Sequence, residues 1–163
     1  MNHLEKLIRQ YYEWQGYIVR GNVKVGRRPL GGWAGELDIV AYHHQDKRLL
    51  HIEPSLDAHP WKKREKRFKK KFDFGKQYIC SDVFPWLDKK TPIEQIAVLN
   101  RSRRGNKLAG GRVVTIDEFM HEVKNKIAKQ GRMARNAIPE EYDLLRTIQM
   151  AICGYRKAVK QTE

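Results

Sequence analysis

The chain has 163 residues, 33 of them Lys or Arg and 19 Asp or Glu, giving a formal net charge of +14 and a pI near 9.9. That length makes one domain with room for a terminal extension, and the clustered positive charge points to a polyanionic partner, nucleic acid first. No apolar run approaches the about 20 residues of a membrane span, residues 1–6 lack a signal-peptide core, and Cys80 and Cys153 fit no zinc spacing. A cytoplasmic protein with two reduced thiols is the expectation, a single disulfide the alternative.

Leu4, Leu7, Ile8, Tyr11 and Tyr12 recur at helical spacing, which predicts an amphipathic helix over residues 2–15, ended by Gly16. Residues 17–20 open a first strand, and 24–35 read as a flexible basic loop. Two short strands follow, 35–42 and 49–55. Pro60 opens a second helix reaching about residue 73, with Trp61, Phe68 and Phe72 as its apolar seam; nine of the sixteen residues 61–76 are Lys or Arg. Residues 95–99 and 112–116 read as buried strands around a basic loop, 100–107. Asp117 caps a helix at 118–129, with Phe119, Met120, Val123 and Ile127 on one face. A last helix starts at Pro139, with Glu140 and Glu141 in its first turn and Leu144, Leu145, Ile148 and Ile152 for packing. The order α-β-β-β-α-β-β-α-α implies an α/β fold, a central mixed sheet flanked by helices, with an extra C-terminal helix. Residues 1–130 form the main domain, and 131–163 a helical extension packed on it or used for dimerisation.

The sharpest signal lies in the middle two strands. Folded as a hairpin about Gln45-Asp46, they place Asp38 opposite Glu53. Alternation puts both on the less apolar face, with Cβ atoms about 5 Å apart. Two like charges there destabilise a sheet unless a cation or a shared proton neutralises them. A divalent metal is the natural candidate.

Glu36-x-Asp38 followed by Glu53-x-Ser55, in this order of elements, resembles the restriction-endonuclease-like superfamily, the PD-(D/E)xK nucleases. It is most similar to the branches that write (E/Q)xD before the second acid, such as Mrr-like and resolvase-like nucleases. The resemblance covers roughly residues 2–116 in topology. It implies a restriction-endonuclease-like core and a DNA endonuclease that hydrolyses phosphodiester bonds with Mg²⁺ or Mn²⁺. Asp38 matches the metal-bridging aspartate, Glu53 the second metal-binding acid, and Pro54 the residue that lends its carbonyl. Glu5 matches an additional acid on the first helix, and Glu36 assists the metal or orients a ligand. Ser55 departs from the motif, which ends in lysine. Some members supply that lysine from the following helix, and here Lys62, Lys63 and Lys66 are the candidates, with Lys62 and Lys66 assigned to catalysis. The alternatives are a catalytically inactive DNA-binding module of the same fold, and a basic RNA-associated protein with a fortuitous acidic hairpin.

DNA is the partner implied, with no membrane, and a homodimer is the form in which many such nucleases cut both strands. The nucleic-acid-binding candidates are Lys24, Arg27 and Arg28 on the glycine loop, Lys63, Arg67 and Lys70 on the second helix, and Arg101, Arg103 and Arg104. Trp33 is the tryptophan best placed to stack on an exposed base. His51 shares a face with Glu53. No histidine here has zinc-site neighbours.

Overall fold

A computed structural model describes residues 2–101 and 105–158. The chain divides into two compact units, Met1–Ile116 and Asp117–Glu163. The first begins with α1 (His3–Trp14), whose start is fixed by a reciprocal cap: Asn2 Oδ1 accepts the Glu5 N–H, and Glu5 Oε2 accepts the Asn2 N–H. Leu4, Leu7, Ile8 and Tyr11 are its buried face. Gly16, at φ +88°, then turns the chain, a conformation costly for any residue with a Cβ.

Three antiparallel strands follow as a meander, β1 (Ile18–Arg27), β2 (Trp33–His43) and β3 (Arg48–Ser55). The α2 helix (Trp61–Tyr78) and a wide π-type turn (Ile79–Val83) carry the chain over to β4 (Ile93–Leu99), which runs parallel to β3. A short hairpin of β5 (Lys107–Leu108) and β6 (Gly111–Thr115) completes a six-stranded mixed sheet in the order β1-β2-β3-β4-β6-β5. β3 is central and buried from Leu49 to Pro54, as expected of a strand with a parallel neighbour and a helix above it. Phe68 and Phe72 of α2 pack with Ala97, Leu99, Leu108 and Val113. Phe74 and Tyr78 pack against a second cluster containing Val25, Leu37, Val40 and Phe84.

The second unit holds α3, which spans Ile116–Ala128 across the division, and α4 (Asp143–Cys153). Its organiser is Gln149. The buried amide accepts the Ile138 N–H at 3.0 Å and donates to the carbonyls of Gly131 at 3.0 Å and Asn136 at 2.7 Å. No helix among the described residues is long and apolar enough to cross a membrane. Cys80 and Cys153 are free thiols.

The α/β fold with a mixed sheet is as the sequence implied, but several boundaries differ. Residues 24–35 are mostly strand: the alternation Val23 and Val25 inward, Lys24 outward, carries β1 to Arg27 and leaves only residues 28–32 to turn. α2 runs five residues beyond the predicted end, through Gly75. β5 was not foreseen. The last helix begins at Asp143 rather than Pro139, because Gln149 holds the backbone at Ile138 and residues 139–142 form a turn closed by the Tyr142 N–H on Pro139 O.

Candidate active site

The β2–β3 ladder pairs His43↔Arg48, Ala41↔Leu50 and Ile39↔Ile52, the register in which Asp38 faces Glu53. The ladder stops there. Beyond it the Asp38 N–H donates to Glu53 Oε1 at 3.2 Å, so a carboxylate takes over where a strand carbonyl would have served. On its other side β3 continues beside β4, through Pro54↔Val98 and Ser55↔Leu99. Pro54, with no N–H, thus lies where β2 has already left, a position that spares the sheet a hydrogen bond.

The face carrying the acids lies under α2. Lys71 Nζ donates to Asp38 Oδ1 at 2.6 Å and to Glu53 Oε2 at 2.5 Å, clamping both carboxylates. His51 lies fully buried beside them and bonds Glu53 Oε1 through Nε2 at 2.8 Å. Gln95 Nε2, from β4, donates to the Phe72 carbonyl at 2.7 Å and lies 3.4 Å from His51 Nδ1. One assignment satisfies this chain: a neutral imidazole donating from Nε2–H and accepting at Nδ1. Burial, and then the Lys71 charge, push His51 down to about 3, which keeps it neutral. Glu53, itself buried, therefore has three donors, two on Oε1 and one on Oε2.

Charge in the cluster does not balance. Two carboxylates face one ammonium. Burial, with the Glu53 carboxylate beside it, pushes Asp38 up to about 7 against the pull of Lys71. Burial would lower Lys71, but Glu53 and Asp38 together raise it, so the ammonium stays charged. With both acids ionised the site is one positive charge short, and near neutral pH a proton on Asp38 supplies it part of the time.

Ser55 anchors a second network. Its hydroxyl donates to Asp57 Oδ2 at 2.6 Å and accepts from Arg67 Nη2 at 2.7 Å. Asp57 also pairs with Arg64 and Arg67 and accepts the His59 N–H. Burial alone would raise the Asp57 carboxyl, but the Ser55 hydroxyl, the His59 N–H and Arg67 hold it well below the usual range. The position where the motif has lysine is thus tied to two guanidinium groups of α2.

The other sequence candidates are distributed as follows. Lys62, Lys63, Lys66 and Lys70 are exposed on α2, and Lys70 Nζ lies over the Phe74 ring at 5.6 Å. The lysine that reaches the acids is Lys71, which the motif reading did not single out. Glu36 is exposed on β2, paired in register with Lys24. Both carboxylate oxygens of Glu5 accept from Asn2, so Glu5 serves as a helix cap. Lys24 and Arg27 are exposed on β1, and Arg28 on the turn after it; Arg101 is exposed too, whereas Arg103 and Arg104 lie outside the described residues. Asp57, Arg64 and Gln95 were not foreseen. A signal for Lys71 existed: it stands three residues after Phe68 and four before Gly75, on the buried face.

Among the described residues no group of three or more His, Cys, Asp or Glu is arranged to hold a metal; the cluster offers two carboxylates and the Pro54 carbonyl. Compared with known proteins, the chain matches no family model, no curated protein and no solved structure.

Proposed function

We propose that the chain is a metal-dependent DNA endonuclease of restriction-endonuclease-like architecture, with Asp38, Glu53 and Lys71 at its centre. The observation that carries this reading is the clamp of Lys71 on the two acids. It brings a cation from the helix after β3 to the place where a motif lysine from β3 would act. The element order through β4 agrees with the resemblance, and the exposed lysines of α2 offer contacts for a phosphate backbone.

The donor set fits a hard divalent cation: Asp38, Glu53 and the Pro54 carbonyl would hold Mg²⁺ or Mn²⁺, with waters and a phosphate oxygen completing the shell. The missing positive charge at the acid pair is the appetite for it. Bound there, such an ion polarises the scissile phosphate and lowers the pKa of water. Glu53 is held rigidly by His51 and by the Asp38 N–H, so its free direction is set before substrate arrives. Lys71 moves from neutralising carboxylates to stabilising charge that develops on the phosphate.

The same clamp favours a second reading. A lysine that already pairs the acids lets the fold persist without metal, as an inactive DNA-binding module would require. One assay separates the two: cleavage of single-stranded, duplex and branched DNA with Mg²⁺, Mn²⁺ or EDTA, beside Asp38→Asn. Metal-dependent cutting that vanishes in the variant is the expected result. Tight, salt-sensitive binding with no cutting in any metal would leave the inactive module.

A further inference from the structure

The β1–β2 hairpin ends in a tip of unusual chemistry. Residues 28–32 form the turn, closed by the Arg28 N–H on Gly32 O at 3.0 Å and the Gly31 N–H on Arg28 O at 3.1 Å. At its apex Leu30 is fully exposed, at 103 %. A single exposed leucine is ordinary on a protein surface. Here it follows Pro29, is flanked by exposed Arg27 and Arg28, and has no acidic residue from 25 to 35. Gly31 and Gly32 leave open space around it, since a Cβ on either would meet nothing within 4 Å. Behind the tip, a groove of about 630 Å³ is lined by Lys24, Arg27, Trp33, Gln77, Tyr78 and Asp82, with Trp33 44 % exposed and the Asp82 carboxylate accepting from the Gly26 N–H and the Ser81 hydroxyl.

We propose that this hairpin is a wedge that opens duplex DNA, resting on the nucleic-acid reading above. Leu30, stiffened by Pro29, enters a base step, as apolar wedges do beside arginines that hold the flanking phosphates. The groove receives the unstacked base against the Trp33 indole. Trp33 and Asp38 are five residues apart on one strand, about 17 Å at strand rise.

The test is binding in EDTA, which removes cleavage from the readout. Duplexes carrying 2-aminopurine at successive positions are titrated with wild type, Leu30→Ser, Trp33→Ala and Asp38→Asn. Wild type and Asp38→Asn should raise 2-aminopurine fluorescence at one step; Leu30→Ser should abolish the rise at full saturation. Trp33→Ala should weaken binding about tenfold, the worth of one stacked base. Leu30 has no packing to lose, so melting of Leu30→Ser should match wild type. Saturated binding with no rise at any position, or an unchanged rise in Leu30→Ser, overturns the wedge and leaves the nuclease reading intact. Failure to bind duplex at all overturns the wedge and leaves the nuclease reading to the cleavage assay on single-stranded and branched DNA with metal. A wedge with no metal-dependent cutting elsewhere would retain this inference and remove only the catalytic one.

Discussion

Gly75 of α2 lies directly over His51: a Cβ built on it would come within 2.2 Å of Nδ1 and 2.6 Å of Cε1. Alanine in a helix interior ordinarily outranks glycine by about 0.5–1 kcal/mol. At this position the sign should reverse, because α2 must lift or His51 must turn, at a cost of about 1–3 kcal/mol. Gly75→Ala should lower the denaturation midpoint, and DNA cleavage should fall with it as Glu53 loses its partner. A Gly75→Ala protein as stable as wild type would show that the helix does not press on the histidine.

Lys71→Met removes the ammonium and leaves two carboxylates facing each other without it. We expect the thermal midpoint to drop in EDTA and to recover with Mn²⁺ by more than wild type gains, since ligand binding to the native state stabilises it. Cleavage should stay about a hundred- to a thousandfold down, the scale of losing one transition-state donor. Recovery of both stability and cutting with Mn²⁺ would show that Lys71 only fills space between the acids.

Ser55→Lys restores the motif residue but breaks the hydroxyl's bonds to Asp57 and Arg67 and adds a cation beside two arginines. Chemical denaturation should show a loss of about 1–3 kcal/mol, the cost of unpairing a partly buried network. Combined with Lys71→Met, the same substitution asks whether strand and helix positions are interchangeable. Cutting in the double variant above that of Lys71→Met alone would show that they are.

Glu94 accepts two bonds from Arg48 on Oε2 and two from Arg112 on Oε1. Burial works to raise its pKa, but Arg48, then Arg112, hold it below the ordinary glutamate value of about 4.3. A depressed carboxylate contributes stability above its unfolded pKa and loses it as pH falls through the folded one. Glu94→Gln should therefore lower stability near neutral pH, by about 1 kcal/mol at most for so solvated a cluster. Wild type and variant should converge below about pH 4. An undiminished gap at low pH would assign the effect to packing.

Much of this was legible because strand alternation and hairpin parity are rigid rules. They placed Asp38 across from Glu53. What failed to show was anything set by the helix above. The apolar seam of Trp61, Phe68 and Phe72 carried α2 only to about residue 73, and the reason for Gly75, the imidazole beneath it, belongs to another strand. Lys71 was hidden among identical neighbours, Lys69 and Lys70; only its spacing from Phe68 marks it as the inward one. Ser55 looked like a loss, because Asp57, Arg64 and Arg67, which make sense of it, meet only in three dimensions. The glycines at 31 and 32 made residues 24–35 look irregular, whereas they supply just the turn, and Val23 and Val25 carry the strand.

A lysine on β3 would be tethered to Glu53 by two residues of backbone. Lys71 is eighteen residues away and is held in place only by how well α2 sits on the sheet. Under the proposed nuclease reading, competence thus becomes a report on helix attachment. Any fluctuation that detaches α2, with the strands still hydrogen-bonded, silences the centre reversibly, and the amides of residues 68–75 should set the pace at which it switches off.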